Sequence, residues 1–247
     1  MPNHRHESGT GNISVIIAVK NGERFLAEAL RSIAQQTLPP RQILVIDGHS
    51  TDDTARIAQS FSGVEFHEQT GSGIPNAYNC GVKLARGDLI AFLSHDDIWT
   101  PDKLAAQAGY LRDHPAAMYC VARAKFFLEP GCSLPPSFKP ALLQGDHVAR
   151  IMETLVARRE LFDIVGGFNE ALGVAEDVDW YARVADAGYP VNVLDKVLLH
   201  KRVHHINSSL TAETHNRNLL TALRESAARK RDSVRLNDSA DSEGACR

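Results

Sequence analysis

The chain has 247 residues, of which 43% are hydrophobic and 23% charged, a composition typical of a globular protein with one large domain. The formal net charge of −3 argues against nucleic acid as a partner, because proteins that bind the phosphate backbone concentrate Lys and Arg. The four cysteines form no CxxC pair, and no run of about 18 apolar residues occurs that would span a bilayer. We therefore expect a reduced, cytoplasmic protein with no transmembrane segment, for which only peripheral membrane contact stays open.

The first half of the chain alternates short apolar strands with helices. Residues 1–11 are polar, which predicts a flexible N-terminus. Strands are predicted at 13–19, 43–46, 64–67 and 88–93, each followed by a helical pattern or a turn. Alternation at these lengths indicates βαβ crossovers, and hence an α/β, Rossmann-like, mostly parallel sheet flanked by helices.

The second half of the chain is predicted in less detail. A helix follows Pro101, and the proline-rich residues 128–146 are expected to form a long loop of the kind that often closes over a site. Further helices are predicted at 159–165 and 177–187, followed by two short strands near 191–194 and 197–200. Residues 211–231 are predicted to form a polar helix, and residues 232–247 a disordered tail.

Acidic side chains directly follow two of the predicted strands. Asp47 follows the second strand, and Asp96 and Asp97 follow the fourth. Open α/β sheets bind ligands at the carboxyl ends of their strands, where a carboxylate can accept a hydrogen bond from a base or ribose. Adjacent carboxylates also suit a hard divalent ion that holds phosphate oxygens. The alternative is that each Asp only caps the helix that follows it.

Several motifs together resemble the family 2 glycosyltransferases in order and spacing. The resemblance covers roughly residues 12–210, and although each motif is weak alone, the whole series is specific. The motifs are residues 15–21, 45–54, 73–81, 86–97 with Pro101, 159–162, 166–170, 176–179 and 202–204.

The resemblance implies a GT-A fold with a nucleotide-sugar-binding half at 12–100 and an acceptor-side half at 101–210. It also implies a nucleotide-diphosphate sugar donor, with a UDP-sugar favoured, and Mn²⁺ or Mg²⁺ as cofactor. Asn79 is either a donor contact or a support for the pocket, and His204 either completes the metal site or is simply solvated. The donor-binding residues implied are Ala18, Lys20, Asn21, Asp47, Gly73, Asn79, Ser94, His95 and Asp96, and the metal ligands implied are Asp96, Asp97 and His204.

Inverting sugar transfer needs a base that takes the proton from the acceptor hydroxyl. The resemblance assigns this role to Asp177, and leaves Glu176 to orient the base or contact the acceptor. Asp179 is expected to make a structural hydrogen bond. Acids at a helix start are also favoured by the helix dipole, which accounts for at least one of the three.

Ser94 departs from the family pattern, because the usual Asp-x-Asp begins with an acid at that position. The departure keeps one alternative open, a module that binds a nucleotide-sugar or glycan without turnover. A dinucleotide oxidoreductase is disfavoured, since Asn76 stands where the third glycine of its fingerprint belongs. A nucleotidylyltransferase is disfavoured because no Gly-rich loop bearing Arg and Lys follows the first strand. Glycan, lipid-linked and peptide acceptors all stay open, and a surface-glycan pathway is expected by analogy.

Overall fold

The computed structural model describes residues 12–136, 138–172 and 175–205, together with residues 221, 224, 226, 227 and 229. The N-terminus at 1–11 and the tail at 232–247, both predicted to be flexible or disordered, lie outside the described residues. Most of the helix predicted at 211–231 also lies outside them, although its five described residues are helical.

Nine strands and six α-helices are present within the described residues. The strands are β1 Ile13–Val19, β2 Gln42–Asp47, β3 Val64–Glu68, β4 Leu89–Ser94, β5 Ile98–Trp99, β6 Tyr119–Leu128, β7 His147–Ala149, β8 Val156–Arg158 and β9 Asn192–Val203. The helices are α1 Leu26–Ala34, α2 Thr54–Gln59, α3 Gly73–Leu84, α4 Lys103–Asp113, α5 Glu160–Val165 and α6 Glu176–Asp186. Short 3₁₀ turns occur at Pro140–Leu143 and Met152–Thr154.

The strands form one sheet in the order β3-β2-β1-β4-β8-β6-β9-β5, with β7 paired to β6. Strands β1 to β4 are parallel, as predicted, so their carboxyl ends meet at one edge of the sheet. In this register Ala18 pairs with Ser94, and Val19 pairs with Asp47. The part of the sheet beyond β4 has mixed strand directions, because β8 is antiparallel to both β4 and β6.

Strand β1 is buried on both faces, which explains its unbroken apolar sequence. On one face Val15 and Ile17 pack in a core with α1 and α4, and on the other Ile16 packs in a core with α3 and α6. Helix α3 lies so close to the sheet that a Cβ on Gly81 would stand 2.4 Å from Ile16 Cγ2. The expected arrangement of helices on both faces of an α/β sheet is therefore confirmed.

Strand β9 corrects the prediction of two short strands near 191–194 and 197–200. It is one continuous strand, and it pairs in parallel with β6, a strand that the sequence did not predict. The pairing has irregular register between Val121 and Ala124, where the charged Asp195 and Lys196 interrupt the apolar pattern of β9. Strand β9 thereby brings the end of the described domain beside the carboxyl end of β4.

The described residues include no helix long and apolar enough to cross a membrane. Cys80, Cys120 and Cys132 are free thiols.

Candidate active site

Asp96 and His204 form the centre of a buried cluster at the carboxyl edge of the sheet. His204 Nε2 lies 2.9 Å from Asp96 Oδ2, and the two residues are only 4% and 8% exposed. The His204 ring packs against Phe25 with ring centroids 4.9 Å apart, which fixes its orientation. Burial raises the pKa of Asp96, but the hydrogen bond with His204 and the charge of Lys201 outweigh it and hold that pKa below its usual range.

Asp97 is fully buried and already has partners for both carboxylate oxygens. Lys201 Nζ donates to Oδ2 at 2.7 Å, and the Arg202 backbone N–H donates to Oδ1 at 2.9 Å. Burial beside Asp96 raises the pKa of Asp97, and the Lys201 ammonium opposes that rise. Asp97 thereby anchors β9 to the end of β4, and its predicted role as a metal ligand stays a prediction.

Arg202 holds the end of β9 in place. Its Nε donates to the Asp96 backbone carbonyl at 2.9 Å, and its other nitrogens pair with Glu28 and Glu129. Its guanidinium also lies over the Phe25 ring, 4.7 Å from the centroid. Because Phe25 packs on His204, these contacts orient both members of the Asp96–His204 pair.

Asp96 and His204 present one oxygen and one nitrogen ligand of the types that bind Mn²⁺. Among the described residues no group of three or more His, Cys, Asp or Glu side chains is arranged to hold a metal. A divalent ion held by this pair would take its remaining ligands from other groups, such as phosphates and water, as Mg²⁺ commonly does in nucleotide sites.

Ser94 and Glu153 are hydrogen bonded to each other beside this pair. Ser94 Oγ donates to Glu153 Oε1, and Lys201 Nζ lies 3.1 Å from the same oxygen. The sequence predicts neither Glu153 nor Lys201 as a site residue. Lys201 stands between His200 and Arg202, and no local pattern in this polar stretch marks it as buried.

The ends of β1 and β2 form a network of short hydrogen bonds. Ser50 donates to Asp47 through its backbone N–H at 2.8 Å and through its hydroxyl at 2.5 Å. Asn21 donates its N–H to Ser50 Oγ at 2.7 Å, and its Oδ1 accepts the Thr51 N–H at 2.9 Å. Lys20 is exposed beside them. The predicted donor residues Lys20, Asn21 and Asp47 are thus brought together.

Ala18 and His95 lie next to each other between this network and Asp96. Burial lowers the pKa of His95, whereas Asp96 and a hydrogen bond with the Ala18 backbone oppose the change. Gly22 makes room for the imidazole, because a Cβ there would stand 3.0 Å from His95 Cδ2. Gly73 begins α3 with a φ of 84°, a conformation that favours glycine.

Asn79 ties α3 to the loop that precedes α6. Its Nδ2 donates to Phe168 O and to Glu170 Oε1, both at 2.9 Å, and its Oδ1 accepts the Phe168 N–H at 2.7 Å. Gly167 allows this approach, since a Cβ on it would stand 2.4 Å from Asn79 Oδ1. These contacts favour the supporting role that the sequence left open, and a donor contact of Asn79 stays a prediction.

Glu176 and Asp177 begin α6, directly after a turn in which Ala175 has a φ of 72°. Burial, followed by the charges of Asp177 and Glu153, raises the pKa of Glu176 to about 8. Asp177 Oδ1 accepts its neighbour's N–H, that of Val178, at 2.7 Å. Glu176 is therefore mostly protonated at neutral pH.

Tyr78 connects the start of α6 with the end of β4. Burial and the charges of Glu153, Glu176 and Asp177 raise the pKa of Tyr78 well above its usual value, and a hydrogen bond with Ser94 opposes the rise. The two acids of α6 and the Ser94–Glu153 pair thus surround one phenol. The start of α6 is therefore close to the end of β4, the strand that Asp96 follows.

An α/β domain with this sheet order and with carboxylates at the carboxyl ends of its strands has the architecture of a GT-A glycosyltransferase. The glycosyl transferase family 2 model matches residues 14–168, and the chain belongs to that family. An uncharacterized glycosyltransferase of Rickettsia conorii is 28% identical over 220 residues, covering 83% of this chain and 36% of that protein. Chondroitin synthase of Escherichia coli is 26% identical over 208 residues, covering 80% of this chain and 30% of that protein. The chain thus spans about a third of the length of these relatives.

Solved structures support the GT-A fold. S. aureus TarS in complex with UDP-GlcNAc superposes with a TM-score of 0.69 at 22% identity, covering 88% of this chain and 66% of that chain. The mannosyltransferase PcManGT of Pyrobaculum calidifontis, in complex with GDP-Man and Mn²⁺, gives a TM-score of 0.59 at 23% identity. The superposition covers 77% of this chain and 56% of that chain.

Proposed function

We propose that the protein transfers a sugar from a nucleotide-diphosphate sugar, with a UDP-sugar favoured, to an acceptor hydroxyl with inversion. The observation that carries the proposal is that the Asp96–His204 pair directly follows β4, while Glu176 and Asp177 lie near the Ser94–Glu153 pair at the end of the same strand. A site of this kind has a place for a charged diphosphate beside a base, which is what the reaction requires.

We place the nucleoside at the ends of β1 and β2. Asp47 uses one lone pair of each oxygen for Ser50, so the remaining lone pairs can accept hydrogen bonds from a base or ribose. Lys20 and Asn21 border the nucleotide from the loop after β1. Ala18, Gly73, Ser94 and His95 line the path from the nucleoside to Asp96.

Asp96 and His204 are the residues that we expect to hold Mn²⁺ or Mg²⁺. When bound, the ion neutralises the charge of the diphosphate leaving group. The presence of Mn²⁺ in the complex of the structural neighbour PcManGT supports a divalent ion here. Arg202 and Phe25 keep the two protein ligands in place.

Asp177 is the proposed base. Its carboxylate takes the proton from the acceptor hydroxyl while the hydroxyl oxygen attacks the anomeric carbon, and the bond from that carbon to the diphosphate oxygen breaks. Glu176, protonated at neutral pH, donates a hydrogen bond that orients the acceptor or the base. Glycan, lipid-linked and peptide acceptors fit this chemistry equally. The resemblance to chondroitin synthase favours a role in polysaccharide or cell-surface glycan synthesis.

A thermal-shift screen tests donor binding. UDP-GlcNAc, GDP-mannose and their free nucleotides are each added with Mn²⁺ and with a chelator, because a ligand that binds only the native state raises the melting temperature. We expect one nucleotide series to stabilise the protein in a metal-dependent way. Donor hydrolysis, followed in the same samples, separates a transferase from a module that binds without turnover. Absence of any shift across both series would contradict the proposed function.

A further inference from the structure

Glu153 lies beside the end of β4, at the carboxyl edge of the sheet, in an element that carries none of the other site residues. It lies in the 3₁₀ turn Met152–Thr154, and its carboxylate meets Ser94 Oγ, 59 positions away in sequence. Ser94 brings no charge to the end of β4, whereas Glu153 brings one to the same place. Glu153 is 8% exposed, so the charge is largely removed from water.

Three buried side chains hold the backbone of this turn. Trp99 Nε1 donates to Glu153 O at 2.9 Å, Gln107 Nε2 donates to Thr154 O at 2.8 Å, and Lys103 Nζ donates to Leu155 O at 3.2 Å. Three consecutive carbonyls are therefore fixed from β5 and α4. Such support is characteristic of a side chain whose position is part of a site, because a binding group must be held within about 0.5 Å of its working position.

The ion pair with Lys201 does not by itself explain why the Glu153 carboxylate is buried at this position. Lys201 already pairs with Asp97 at 2.7 Å, and Glu153 is a second carboxylate on the same ammonium at 3.1 Å. Glu153 therefore shares this ammonium with a second buried carboxyl group, and a buried charge that is only partly compensated is costly unless other groups solvate it. Both contacts use Glu153 Oε1, and the other oxygen has no hydrogen-bond donor among the described residues.

The second oxygen is not sealed in the interior, because it is absent from the fully buried polar atoms that lack a partner within the described part of the chain. A carboxylate oxygen that is not fully buried, has no donor within the described residues and belongs to a carboxylate held by Ser94 and Lys201 can accept a hydrogen bond from a ligand hydroxyl. Sugars and ribose present such hydroxyls, and a hydrogen bond to a charged acceptor is stronger than one between neutral groups.

We propose that Glu153 is a donor-binding residue that accepts a hydrogen bond from a hydroxyl group of the bound nucleotide-sugar. It supplies from the 3₁₀ turn the carboxylate that Ser94 does not provide at the end of β4. The proposal rests on the proposed function of the same site, and it concerns a residue that neither the resemblance nor the strand pattern indicates.

The test measures donor affinity by calorimetry for wild type, Glu153→Gln and the exposed-acid control Glu160→Gln. The probes are UDP, UDP-GlcNAc, GDP and GDP-mannose, each with Mn²⁺. We expect Glu153→Gln to weaken binding about 10- to 100-fold, the effect of losing a charged hydrogen bond, while Glu160→Gln binds as wild type. Equal losses for the nucleotide and its sugar would assign the hydroxyl to the ribose, and a loss for the sugar conjugate alone would assign it to the transferred sugar.

A second variant, Ser94→Asp combined with Glu153→Gln, moves the carboxylate to the other partner of the hydrogen bond. We expect it to recover most of the lost affinity, whereas a purely structural role of Glu153 would leave the loss unchanged and overturn the proposal. Unchanged binding by Glu153→Gln would also overturn it. If wild type binds none of the probes, the proposed function fails instead, so the two failures are distinguishable.

Discussion

His204 Nε2 and Asp96 Oδ2 lie 2.9 Å apart although 108 positions separate the two residues in the chain. The contact exists because β9 pairs with β6 and β5 at the far side of the sheet and ends beside the turn after β4. Asp96 and His204 are therefore brought together by the tertiary fold, and each is buried against groups that fix its orientation.

Replacing Asp96 with Asn is expected to weaken metal-dependent donor binding. The substitution keeps the shape but removes the charge that a divalent ion and its phosphates require. His204→Ala should have a similar effect, and the double variant should lose little more than either single one if the two residues act on one ion. Calorimetric titration of Mn²⁺ and donor measures these effects. The exposed Asp113→Asn serves as control, and binding by Asp96→Asn at the wild-type affinity would count against the assignment.

Replacing Asp177 with Asn is expected to lower the rate of transfer by about 10²- to 10⁴-fold, the usual contribution of a general base. Donor affinity should change little, because the base acts on the acceptor. Single-turnover transfer and donor calorimetry on the same preparation check both parts. Rapid turnover by this variant would mean that another group takes the proton.

The raised pKa of Glu176 predicts a pH-dependent stability. Between its unfolded value near 4.5 and its folded value of about 8, the folded protein holds a proton that the unfolded chain has released. The unfolded state therefore binds fewer protons, and Glu176 lowers the free energy of unfolding as pH rises through this window, by at most about 1.4 kcal/mol per pH unit. Glu176→Gln lacks this contribution. Its stability relative to wild type should increase from pH 5 to pH 8 in urea denaturation, and a constant difference would contradict the assignment.

The contact between Asn79 and Gly167 predicts non-additive stability effects. Asn79→Ala should cost about 1–3 kcal/mol, because the buried Phe168 N–H and O lose their partners. Gly167→Ala should also destabilise, since its Cβ would meet Asn79 Oδ1. In the double variant the steric part disappears, so the sum of the single effects should exceed the measured one. Donor affinity of Asn79→Ala should stay close to wild type in a folded sample.

The Trp99 hydrogen bond predicts an effect transmitted through the backbone. Trp99→Phe keeps most of the ring but removes the Nε1–H that Glu153 O accepts. We expect a loss of about 1–3 kcal/mol in stability and a weaker donor affinity, both in the direction of Glu153→Gln. A variant with unchanged stability would show that the turn is held by Lys103 and Gln107 alone.

The parallel half of the sheet follows from the sequence because its strands are short apolar runs separated by helices. The short, unbroken apolar runs are sufficient to predict β1 and β4. The acidic residues that follow β2 and β4 indicate the edge of the sheet at which a ligand is expected. Strand β6 is not predicted because Arg123 and Lys125 interrupt its buried residues, and the partners of Arg123, Asp146 and Asp195, come from distant segments. Glu153 and Lys201 were missed for the same reason. A buried charge is explained only by the charge it meets, and that partner lies outside any local sequence pattern.

Contacts within the protein give Asp97 and Asn79 structural roles that their residue types alone do not indicate. Each carboxylate oxygen of Asp97, and the amide N and O of Asn79, is hydrogen bonded to another part of the fold. Asp96 and Asp97 follow β4 in a turn that the Asp97 N–H closes on Ser94 O at 3.2 Å, and their carboxylates meet different partners, His204 and Lys201.

The proposed donor site depends on the parallel pairing of β9 with β6, because Lys201 and His204 lie at the end of β9 and directly after it. Lys201 and His204 become available only when the terminal strand of the described sheet has docked, so a ribosome-bound chain that lacks β9 has Asp96 and Asp97 without their partners. In the folded protein, a ligand bound at the proposed site should in turn stabilise the docked position of β9. A bound nucleotide should slow the detachment of β9, and protection of its amide protons from exchange should increase with donor concentration.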